Sequence, residues 1–259
     1  MRMSTGMRRT LAVAAVAAAV AAMPAACGEG EASDAAAPPS AAAPSVAPAS
    51  AAASATPATG GTTRAIPSSI PDAAFLQAGD VPGKAKEKPR RLGPGDQELP
   101  EFCDADYDQG AAVGIRATQS VFFAGPDDPA ESTPKAAVYE DVLVFQGDAA
   151  TTFMSDLRAA VQGCAVQKEE SGVTVKNYLR GEIGAGDESV LIERTRPATD
   201  DAGEPVGGGA LHHLYWTATR VGDSVAVVSN TGWESVSAER ADTVHLGGKA
   251  AARLAAWRG

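Results

Sequence analysis

The residue with the strongest claim to chemistry is Cys27. It closes an almost unbroken Ala/Val/Leu run that follows Arg8 and Arg9, and it stands between Pro24-Ala25-Ala26 and Gly28. A charged start, an apolar stretch and small residues before a cleavage position form the layout of a bacterial secretory signal. A cysteine at that position predicts a lipoprotein signal, in which the cysteine is lipidated on its thiol, with palmitate for example among the fatty acids carried, and the residue becomes the new N-terminus. Such signals usually carry Leu, Val or Ile three residues before the cysteine, where this chain has Pro24. The alternative is plain secretion, with Cys27 as a spare thiol. The run is mostly alanine, which partitions weakly into hydrocarbon, so a retained transmembrane helix is disfavoured.

Other residues suggest catalysis or metal binding by their spelling. Gly222-Asp223-Ser224 with Asp242 and His245 echoes the blocks of GDS-type serine esterases, but the two blocks lie barely twenty residues apart. A triad is defined by geometry rather than spelling. His212 and His213 are adjacent in a strand-like run, so they point to opposite faces and do not chelate one metal together. The glycine-rich stretch 181–186 lacks the spacing and the strand-to-helix context of a nucleotide loop. Tyr215, Trp216, Trp233 and Trp257 suit a pocket wall, and core packing explains each equally well. The acidic pairs Asp127-Asp128, Glu169-Glu170 and Asp200-Asp201 fall in turn-like stretches where solvation is the default. The basic run Lys84, Lys86, Lys88, Arg90, Arg91 suits an acidic polymer or a solvated loop. No catalytic, metal or cofactor residues are assigned.

Two cysteines remain beyond Cys27. Outside the cytoplasm, Cys103 and Cys164 are expected to form a disulfide. Two free thiols, or a metal held by two distant cysteines, are the alternatives.

Charge narrows the partners. The chain has 22 Lys+Arg and 32 Asp+Glu. Residues 1–27 hold three arginines and no acid, so the mature chain has 19 basic against 32 acidic residues, a net charge of −13. Phosphate backbones repel such a surface, which argues against nucleic acid. The Ala, Gly, Pro and Asp content fits a high-GC organism such as an actinobacterium.

The elements that would position these residues follow from local pattern. Residues 28–66 are Ala, Pro, Ser, Thr and Gly with almost no large apolar side chain, so they read as a disordered tether. Its prolines, including Pro38, Pro39, Pro44, Pro48 and Pro57, favour polyproline II, and full extension would reach on the order of 120 Å. A folded domain is expected over 67–259. Ser68 or Ser69 with Pro71 predicts a short helix carrying Ala74, Phe75 and Leu76 inward, and 84–100 reads as a loop. Strands are predicted over 115–123, 138–145, 173–180 and 189–196. Residues 138–145 are apolar on both faces, which implies a central strand covered on both sides. Asp148 is expected to cap a helix to about residue 163, with Phe153, Leu157, Ala160, Val161 and Cys164 on its inner stripe. Residues 211–221 and 224–230 form the clearest hairpin, with Gly222-Asp223 suited to a type II′ turn. Thr231 and Glu234 resemble a capping box opening the last helix. Its predicted inner stripe is Val244, Gly247, Gly248, Ala251, Leu254 and Ala255. The sum is an α+β domain: a twisted antiparallel sheet of about five or six strands with helices packed on it.

The run Val138-Tyr139-Glu140-Asp141-Val142-Leu143-Val144-Phe145, then Asp148 and a helix holding Phe153 and ending at Cys164, is similar to the centre of the PknH-like extracellular sensor domains of actinobacteria. The hairpin Thr219-Arg220-Val221-Gly222-Asp223-Ser224-Val225 also resembles that family's Arg-x-Gly-Asn followed by valines. The resemblance covers the chain from Ile66 onward. The family commonly has two disulfides where this domain can make one, and it often has Trp where Val161 stands. The resemblance implies an extracytoplasmic α+β domain with a ligand cleft, borne on kinases or on free lipoproteins. The expected protein is therefore a lipoprotein anchored to the outer face of the membrane through Cys27. Its domain is expected to be a non-catalytic, ligand-binding or sensor-like one whose partner is a small ligand or an envelope protein. A secreted hydrolase using Ser224 and His245, or a structural envelope module, is the alternative.

Overall fold

The computed structural model describes residues 64–259, apart from residues 109, 170, 201 and 235. Cys27, the signal and nearly all of the tether lie outside the described residues. In chain order the elements are β1 (Lys84–Ala85), β2 (Arg90–Arg91), β3 (Val113–Ala124), β4 (Ala136–Phe145), α1 (Ala149–Gly163), β5 (Val166–Lys168), β6 (Thr174–Leu179), β7 (Glu188–Pro197), β8 (Leu211–Val221), β9 (Ser224–Asn230) and α2 (Arg240–Arg258). The strands form one sheet in the order β1-β3-β4-β9-β8-β7-β6-β5, with β2 also on β3, and every pairing is antiparallel.

The α+β class expected from the sequence holds. Among the described residues the sheet has nine strands rather than five or six, because β1, β2 and β5 are two or three residues long and too short to show periodicity. β4 lies between β3 and β9, and its two faces enter different cores, as its apolar pattern requires. Leu143 and Phe145 pack with Phe153, Leu157 and Val161 of α1. Val138, Val142 and Val144 pack with Leu246, Ala250 and Leu254 of α2, and with Ile70, Phe75 and Leu76 of a strap that precedes β1.

Three local expectations are corrected. Asp148 occupies the cap position of α1, but its side chain makes no capping hydrogen bond; its carbonyl accepts from Thr151 at 2.9 Å instead. Thr231 and Glu234 do not open a helix. The backbone of residues 231–232 continues the pairing with Ala137, and Gly232 and Glu234 take left-handed φ of 68° and 51°, so α2 begins only at Arg240. Its buried stripe is Thr243, Leu246, Gly247, Ala250, Ala251 and Leu254, with Ala255 exposed and Gly248 half-buried. Gly247 is needed for close approach: a Cβ there would stand 2.4 Å from Thr217 Oγ1 of the sheet.

The β8–β9 hairpin has the expected bounds. Gly222 takes φ of 59° and Asp223 is not left-handed, as a type II′ turn requires. The strap before β1 holds a 3-10 turn, Asp72–Ala74, with Pro71 at its cap position, and it buries Ala74, Phe75 and Leu76.

The strap is fixed to the sheet by two buried side chains. Glu140 of β4 accepts from Leu76 N–H at 2.7 Å, and Gln119 of β3 donates to Leu76 carbonyl at 2.7 Å. These two residues are register partners, so together they mimic a strand ladder for a segment that is not a strand. Glu140 is fully buried with its second oxygen unpaired among the described residues, and burial pushes its pKa up to about 8.

Candidate functional site

The face of the sheet that carries α1 is only partly covered by that helix. Part of the rest lies under residues 97–108, and Phe122 of β3 lies against Trp233. Phe102 and Tyr107 anchor this segment: Phe102 meets Trp216 edge-on at 6.4 Å, and Tyr107 meets Phe153 at 5.7 Å. The disulfide Cys103–Cys164 joins it to the end of α1. Cys103 and Asp104 take left-handed φ of 47° and 59°, which turns the segment sharply beside the bridge.

A cleft of about 450 Å³ opens between residues 97–104 and the edge formed by residues 167–169. Its other lining comes from Arg194 of β7, Trp216 of β8, Ser229 of β9 and Thr231 just beyond that strand. A second cavity of about 370 Å³ shares residues 98–101 and Asp104 with the cleft and is also lined by Tyr107 and Arg116.

Arg194 is the main cation of the cleft, and its side chain is 12% exposed. Nε donates to Asn177 Oδ1 at 2.7 Å, and Nη2 donates to Glu101 carbonyl and to Gln167 Oε1. The guanidinium lies 5.2 Å from the Trp216 ring and 5.3 Å from the Phe102 ring. Burial pulls its pKa down, with Glu169, 3.9 Å from Nη1, acting against that. Arg116 is committed elsewhere. It pairs with the buried carboxylate of Asp141 at 2.8 Å, which Thr118 also holds, and donates to Gln97 carbonyl at 3.0 Å. Burial raises the Asp141 pKa against both partners.

One row across this face is polar. Ser120, Tyr139, Ser229 and Trp216 are successive register partners on β3, β4, β9 and β8. Ser229 is 2% exposed and its hydroxyl has no hydrogen-bond partner among the described residues; nor does the buried Ser120 hydroxyl.

The structure does not assemble a hydrolase site from Ser224 and His245. Ser224 is fully buried and its hydroxyl donates to Asp223 at 2.9 Å. Asp223 is held by Arg258 at the last turn of α2. His245 lies thirteen residues earlier on that helix, about 20 Å along its axis, where it bonds Asp80 carbonyl at 3.0 Å. Asp242 pairs with Lys135 at 3.0 Å.

His212 and His213 do face opposite ways. His212 is buried, bonding Val236 carbonyl at 2.8 Å and accepting from Arg196 Nε at 3.1 Å, and burial lowers its pKa. His213 bonds Glu193 at 2.6 Å. No group of three His, Cys, Asp or Glu suited to a metal occurs among the described residues.

The basic run is not a free patch. Lys84 and Lys86 bind the carbonyls of Asp128 and Ala130, while Arg91 turns inward over Phe75 and donates to Ile70 carbonyl. Of the four aromatic candidates, only Trp216 reaches the cleft. Trp233 packs on Phe122 at 5.6 Å, Tyr215 is buried on the opposite face, and Trp257 packs against the α2 core. Of the acidic candidates, Asp128 and Asp200 cap turns, and Glu169 lines the cleft. Sequence reasoning missed Glu98, Glu101, Asp104, Arg194 and Ser229. The recurrence of acids at 98, 101, 104, 106 and 108 was the available signal.

No family model and no curated protein sequence matches the chain. Among solved structures it is similar to the extracellular domain of PknH from Mycobacterium tuberculosis, at 15% identity and a TM-score of 0.42, over 71% of this chain and 92% of that one. A likeness of that degree carries no argument about function.

Proposed function

We propose that this chain is a lipid-anchored extracytoplasmic protein whose folded domain binds a ligand or acts as a sensor, without catalysing a reaction. The observation that carries the binding reading is the cleft beside the disulfide-held segment 97–108. It joins a half-buried cation, an indole and an unpartnered hydroxyl in one concave site of a size usual for small ligands. The export reading is supported by the Arg8-to-Cys27 signal pattern and by a disulfide, a bond that persists in oxidising compartments. The tether would then hold the domain off the membrane surface.

Native mass spectrometry of the intact chain, purified from its own envelope in mild detergent, tests the binding reading. A bound small molecule, lost when Trp216 is replaced by Ala, is the expected result. A chain carrying only its lipid anchor, with no further mass in any charge state, would count against it. Cross-linking in cells would then test for a protein partner.

A further inference from the structure

The chemistry of the cleft floor narrows what it takes. Ser229 is 2% exposed, lines the cleft, and offers a donor and an acceptor that no group among the described residues uses. Trp216 lines the same cleft, and its indole N–H has no acceptor among the described residues. Both groups open to the cleft rather than being sealed from water, so an apolar ligand covering them would leave them unpaired at a cost in free energy, and a ligand that bonds them is favoured. The walls carry the carboxylates of Glu98, Glu101, Asp104 and Glu169 against Lys168 and Arg194, a net charge of −2. That sign repels an anion, and Arg194 already spends Nε and Nη2 on Asn177, Glu101 and Gln167. A compact cation supplies no acceptor for the indole N–H. The group that meets all of these needs is a hydroxyl, which donates to carboxylates and accepts from N–H and O–H donors.

Resting on the binding reading above, we propose that the cleft takes a neutral, polyhydroxylated ligand, a short segment of oligosaccharide. Its hydroxyls donate to the carboxylates of Glu98 and Glu169 and pair with the Ser229 hydroxyl and the Trp216 N–H. The volume of about 450 Å³ is toward the small end of ligand pockets, which suits a few sugar rings and not a folded partner.

The test uses the intact chain on an immobilised array of neutral, amino and uronic-acid oligosaccharides, followed by calorimetry on the best neutral glycan. Spermine and calcium serve as cationic probes. The expected result is binding of a neutral oligosaccharide that Ser229→Ala weakens about fivefold to tenfold, with unchanged thermal melting. Glu98→Gln, on the rim and outside the core, weakens it by a similar factor. Binding confined to uronic-acid probes, spermine or calcium, and still weakened by Ser229→Ala, overturns the ligand class and leaves the cleft standing. A neutral glycan whose affinity neither variant changes places the sugar elsewhere and overturns the assignment. If no glycan binds and native mass spectrometry shows no ligand, the glycan inference and the binding reading fail together.

Discussion

Glu140→Gln should make this protein more stable, and more so as pH rises. The carboxyl is fully buried in the central strand, with one oxygen on Leu76 N–H and the other unpaired among the described residues. Burial raises its pKa from 4.5 to about 8, with the Leu76 bond and the Arg91 charge opposing and the Asp141 and Asp80 charges assisting. Because the folded state holds this proton more tightly than the unfolded chain, the contribution is most favourable below the unfolded pKa. Stability is lost as pH climbs from about 4.5 to about 8. A tenfold difference in proton affinity between the folded and unfolded chain corresponds to about 1.4 kcal/mol, so the loss saturates on the order of 4–5 kcal/mol. Glutamine keeps the acceptor for Leu76 and cannot ionise. Urea unfolding followed by tryptophan fluorescence, with the disulfide intact, measures both proteins from about pH 5 to pH 9. The stability difference should start near zero and grow in favour of glutamine by several kcal/mol. Other titrating groups are common to both proteins and cancel to first order. A difference that stays flat across the range, or that grows in favour of glutamate, would refute the assignment of a buried carboxyl held neutral by its surroundings.

Further outcomes follow from single contacts. Replacing Cys103 and Cys164 with serine opens a linkage spanning 61 residues and should cost about 4 kcal/mol in the chain-entropy model, seen as a lower melting temperature. Gly247→Ala would drive a Cβ to 2.4 Å from Thr217 Oγ1 and should destabilise by about 1–3 kcal/mol, whereas Gly248→Ala meets nothing and should stabilise by up to about 1 kcal/mol; chemical denaturation of the two variants checks the contrast. Cys27→Ser should abolish fatty-acid labelling and release the chain from the membrane fraction, and a labelled, membrane-bound serine variant would refute the anchor at that position.

Local pattern was enough wherever burial repeats with the period of one element. The inner stripe Phe153, Leu157, Ala160 and Val161 identified the core face of α1, because residues three and four apart share a helix face. The two-sided apolar run of β4 foretold a covered central strand, and Gly222 placed the β8–β9 turn because that turn needs a left-handed first residue. The oxidised pair Cys103 and Cys164 was expected from cysteine count and compartment alone. Where a long-range contact competes with a local preference, the sequence misled. Thr231 has the spelling of a helix cap, but its backbone pairs with Ala137 nearly a hundred residues away, and this delays α2 to Arg240. The cleft was the least legible part. Its lining comes from five separate stretches, within residues 97–104, 167–169, 194, 216 and 229–231, which share no periodicity. Antiparallel register across β7, β8 and β9, together with a disulfide that holds residues 97–108 over one sheet face, brings them together, and both are properties of the tertiary structure.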